Sequence, residues 1–86
     1  MKAEDLLPDN ENTKDIRGVT VRKGTIGAFL VNYRVVLDPA SPPEEREAAW
    51  KDMAGQIAAM EALGMFDAFE VRDPTVRAFV DQHRRK

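Results

Sequence analysis

The chain has 86 residues, 43% apolar and 33% charged, which is the composition of one ordinary folded domain and not of a disordered tail. Its 13 Lys and Arg stand against 15 Asp and Glu, a net charge of −2, without the basic excess of a domain that grips phosphate backbones, so nucleic acid is disfavoured as a partner. Cysteine is absent and His83 is the only histidine, which excludes disulfides, thiolate chemistry and Cys- or His-rich metal centres; no cofactor is expected.

Residues 1–16 are polar, with more acids than bases. Glu4 and Asp5 fall where the apolar stretch of a secretory leader would begin, and no apolar run approaches the ~20 residues of a membrane span. The expected location is therefore the cytoplasm. Pro8-Asp9-Asn10 and Asn12-Thr13 read as turns. Within a single domain spanning 1–86, residues 1–15 read as a flexible N-terminal arm, ordered only if Leu6 and Leu7 dock.

Ile16 to Lys23 alternates, with Val19 and Val21 apolar and Thr20 and Arg22 polar, and predicts a strand over about 18–22. The next segment, 25–37, fits two templates. Ile26, Phe29, Leu30, Tyr33, Val36 and Leu37 recur at helical spacing, with Thr25 as N-cap. Phe29, Val31, Tyr33, Val35 and Leu37 also alternate as a strand would. Length favours the helix, and Asp38-Pro39 ends it either way.

Ser41-Pro42-Pro43-Glu44 matches a capping box with proline at the first helical position. Six alanines follow, at 48, 49, 54, 58, 59 and 62, and Trp50, Met53, Ile57 and Met60 form an apolar stripe. With Gly64 as a C-terminal stop, a helix is predicted over about 42–63. Phe69 and Val71 alternate around Glu70, which predicts a second strand over about 68–71, paired with 18–22. Asp73-Pro74 then starts a third helix, about 74–84, with Val76, Phe79, Val80 and His83 on one face and an Arg77–Asp81 pair on another. The expected fold is α+β and helix-dominated: three helices and a minor two-stranded ribbon. Its expected core is Phe29, Tyr33, Trp50, Ile57, Met60, Phe66 and Phe79.

No residue set points to catalysis. Arg22-Lys23-Gly24-Thr25 holds the letters of a phosphate loop in the wrong order, with the lysine before the glycine, and reads as a turn. His83 has no cysteine or second histidine to work with. The acids are explained by helix capping, the helix dipole and solvation. Two surfaces are more informative. If 25–37 is a helix, Ala28, Val31, Asn32 and Val35 give it a second, mostly apolar face, to be covered by a second copy or another protein or else by the N-terminal arm and the last helix. Arg77, Arg84, Arg85 and Lys86 could meet an anion or nucleic acid, although basic residues also complement a helix C-terminus.

Gly24-Thr25-Ile26-Gly27-Ala28-Phe29-Leu30-Val31-Asn32, followed by a long helix ending Leu63-Gly64-Met65-Phe66-Asp67-Ala68-Phe69, resembles short uncharacterised bacterial proteins grouped as a domain of unknown function. The resemblance covers about half the chain, and residues from Asp73 onward fall beyond it. It implies a bacterial source and supplies no activity, cofactor or site residue. The expected function is a protein-interaction or regulatory module without catalysis of its own, acting on another protein or on itself as a homodimer. The alternative is a weak nucleic-acid or anion binder working through the basic C-terminal helix.

Overall fold

The computed structural model describes residues 1–84. In chain order the elements are α1 (Ala3–Leu6), β1 (Thr13–Ile16), β2 (Val19–Arg22), α2 (Thr25–Leu37), α3 (Pro43–Ala62), α4 (Met65–Ala68) and α5 (Pro74–Arg84). The architecture is helix-dominated α+β. The three expected helices are α2, α3 and α5; α1 and α4 are additional single turns, too short to carry a periodic pattern.

The ribbon is built differently from the sequence expectation. Val19–Arg22 is a strand, but its antiparallel partner is Thr13–Ile16 and not residues 68–71. Arg17 and Gly18, with φ of 53° and 80°, close a two-residue hairpin. Positive φ at both central positions is the primed turn whose twist suits a hairpin. A partner two residues away costs far less loop-closure entropy than one nearly fifty residues away. The Phe69 backbone is extended, as the alternating pattern implied, yet the segment it begins joins no sheet. Arg77 serves its carbonyls instead: Nε donates to Val71 O at 2.8 Å and Nη2 to Arg72 O at 3.4 Å.

Residues 1–12 are fastened at several points. Leu7 is buried, Lys23 Nζ donates to Pro8 O at 3.0 Å, and Lys23 N donates to Asn12 O at 2.7 Å. Of the two leucines that could dock, Leu7 does so and Leu6 is half-buried.

The helix ends correct two capping expectations and uphold two. Gly24, in the left-handed region, is the N-cap of α2 in place of Thr25, whose hydroxyl donates back to Arg22 O at 2.7 Å. Pro42 is the N-cap of α3, and Ser41 caps nothing. Asp38 organises that corner, its Oδ1 accepting from Ala40 N at 2.9 Å. Asp73 caps α5 as expected, with Oδ2 accepting from Val76 N at 2.9 Å. Gly64 follows α3 with φ 82°, the left-handed geometry that glycine reaches without a Cβ penalty.

The core forms where α2, α5 and β2 pack on α3. Phe29, Met53, Ile57, Met60, Val76 and Val80 are its buried centre, with Tyr33, Trp50, Phe66 and Phe79 half-buried against them. All seven expected core residues are found there. Val76 and Val80, read only as one face of the last helix, are among the most deeply buried side chains. Trp50 and Phe79 meet with ring centroids 4.7 Å apart, within the range of favourable tilted aromatic pairs.

Candidate functional site

Helix α2 is apolar nearly all the way round, and α3 covers one side of it. Phe29 is buried, and Asn32 turns toward α3, where its Nδ2 lies 3.5 Å from Gln56 Oε1. The opposite side is bare. Leu30 is 53% exposed, Val31 63% and Leu37 40%. Leu30 and Leu37 share the helical spacing of Phe29 and Tyr33 but not their place in the core. They sit on its flank, where none of the described elements covers them.

Of the expected interface positions, Ala28 and Val31 are exposed, Val35 is half-buried, and Asn32 is engaged with Gln56. The larger uncovered face therefore lies toward Leu30. There it meets the extended segment after α4, in which Phe69 is 66% exposed. Leu30 and Phe69 both line one apolar groove of about 200 Å³, with Phe29, Tyr33, Met65 and Phe66 among its other walls and Glu70 and Arg72 beside them. The Phe69 feature escaped the sequence reading because the alternation around Glu70 suggested a strand. The groove is held open by defined contacts: Asp73 N donates to Tyr33 Oη at 3.3 Å, tying the segment to α2, while Arg77 holds its carbonyls.

Across the same segment lies a polar cleft of about 380 Å³, lined by Asp67, Glu70, Arg77, Asp81 and Arg84 among others. Arg77 Nη1 stands 3.3 Å from Glu70 Oε1 and forms no pair with Asp81. Arg84 bonds both carboxylate oxygens of Glu61, Nε at 2.8 Å and Nη2 at 3.0 Å, and its guanidinium carbon lies 5.1 Å from the Phe66 ring centroid. The hydrogen bond to Glu61 raises the Arg84 pKa above its ordinary value. Both guanidiniums of the expected anion contact thus already face carboxylates. Arg85 and Lys86, its other two members, lie outside the described residues.

His83 is occupied by structure as well. Its Nδ1 is 2.8 Å from Phe79 O and its ring lies 4.2 Å from that of Phe79. Among the described residues, no group of three or more His, Asp or Glu side chains is arranged to hold a metal ion, and no helix is long and apolar enough to cross a membrane.

The molecule is thus a small helix-dominated α+β domain whose most distinctive surface is an apolar groove between α2 and the 69–72 segment. Comparison with known proteins finds no matching family model, no matching curated protein and no matching solved structure.

Proposed function

We propose that this protein is a small cytoplasmic interaction or regulatory module, without catalysis of its own, which docks a protein surface on the face running from Val31 through Leu30 to Phe69. The observation that carries the reading is the pair of large apolar side chains, Leu30 and Phe69, left more than half exposed on the walls of one groove. Contiguous exposed apolar surface framed by polar groups is characteristic of association sites. Fully burying a Leu or Phe side chain is worth roughly 1.5–3 kcal/mol, and at 53% and 66% exposure about half to two-thirds of that is left for a partner to supply at each. Aromatic anchors beside pockets dominate interface energetics.

Tagged full-length protein, cross-linked in its native extract and treated with nuclease, tests the reading. A stoichiometric protein partner is expected, a second copy included, and Phe69→Glu should abolish its capture. Capture indifferent to Phe69→Glu would sink the reading. Recovery of nuclease-sensitive nucleic acid alone would favour the anion-binding alternative, which has less support because Arg77 and Arg84 are already paired.

A further inference from the structure

We propose that the groove is occupied by a second copy of this chain, related by a two-fold axis, with each copy's Phe69 entering the other's groove. This rests on the interaction-surface reading above and names its partner.

The first argument is shape. In a two-fold interface the same patch serves both partners, so it must complement itself. This patch carries a protruding ring, Phe69 at 66% exposure, and directly beside it an apolar groove of about 200 Å³. A cavity of roughly 150 Å³ accepts benzene, so the groove has room for a phenyl ring.

The second argument is charge. The groove is flanked by one acid and one base, Glu70 and Arg72, which stand one residue either side of Val71. Antiparallel apposition of the two segments about an axis at Val71 sets Glu70 of each copy against Arg72 of the other. Arg72 is free to respond, and the exposed Glu70 carboxylate can be shared between Arg77 and the other copy's Arg72. Arg72 makes no ion pair among the described residues, and Glu70 is 76% exposed even with Arg77 beside it. A rim of one sign would oppose self-contact, whereas a mixed rim supports it.

The third argument is area. The chain exposes 6197 Å², whereas a compact monomer of its mass exposes about 5,100 Å². Its radius of gyration is 13.6 Å, against about 12 Å for a compact domain of this length. The surplus of roughly 1,000 Å² is on the scale of the ~800 Å² that each partner contributes to a stable interface.

Sedimentation equilibrium of the full chain across micromolar concentrations tests the proposal. The expected result is reversible association to twice the 9.7 kDa chain mass. Phe69→Glu and Leu30→Glu, on different elements, should each raise the dissociation constant at least about tenfold, as loss of an interface anchor does, with unchanged far-UV circular dichroism. Arg72→Glu, which leaves the apolar walls intact, should weaken association in the same direction. A chain that keeps monomer mass throughout overturns the second copy as occupant, and so does a dimer indifferent to both apolar-wall substitutions. The broader interaction reading fails separately, when cross-linked capture yields no protein partner or is indifferent to Phe69→Glu.

Discussion

Phe29 and Leu30 are sequence neighbours with opposite surroundings, and truncating each to alanine gives a sharp test of the bare α2 face. Phe29 is 4% exposed at the centre of the core. Phe29→Ala should therefore cost about 3–5 kcal/mol, the transfer term plus the cavity left behind. A domain of this length is stable by about 4–13 kcal/mol in all, so that variant sits near the limit of folding. Leu30→Ala removes about three methylene equivalents at ~0.8 kcal/mol each, or ~2.4 kcal/mol if fully buried. At 53% exposure about half of that remains, near 1 kcal/mol, with little cavity to add. Urea unfolding at submicromolar concentration, where any self-association is suppressed, reads both losses as shifts in midpoint at constant slope. Equal losses at the two positions would refute the exposed face. A Leu30 loss that grows with protein concentration would mark that face as covered by association.

Two further outcomes concern the backbone. Asp73→Ala should destabilise by about 1 kcal/mol because Asp73 caps α5, whereas Ser41→Ala, at a position that caps nothing, should stay within about 0.5 kcal/mol; the reverse order in thermal melts would restore the capping box read from sequence. Arg17 sits at φ 53° in the hairpin turn, a region costly to most L-residues and better tolerated by Asn. Arg17→Asn should raise stability by up to about 1 kcal/mol, and a lowered melting temperature would contradict that account of the turn.

Local signals carried the long elements. Proline and glycine punctuation, alanine content and the Trp50–Met60 stripe located α3, and Asp73-Pro74 located α5 with its cap. Two kinds of feature were out of reach. Partner choice was one: the alternating residues around Val21 and around Glu70 look alike, and only the short hairpin through Arg17 and Gly18 decides which segment pairs with β2. Coverage was the other. Leu30 and Leu37 obey helical spacing as well as Phe29 does, but their burial depends on how many other elements reach α2. That is a property of the whole assembly, and no window of sequence contains it. The groove inherits this limit, because it joins a helix flank to a segment whose alternation resembled a strand. Among the basic residues, Arg77 and Arg84 could be seen as exposed cations but not as the partners of Glu70 and Glu61.

The protein carries its own optical probe. Trp50 is the sole tryptophan, and it lies at the seam where α5 closes on α3, in contact with Phe79. Its emission therefore reports the departure of the C-terminal helix, whereas the circular dichroism signal is dominated by α2 and α3. Terminal elements often open before the rest of a fold. If the two signals part company during gentle denaturation, with fluorescence moving first, the eleven residues of α5 form a latch that opens while the remainder of the molecule holds.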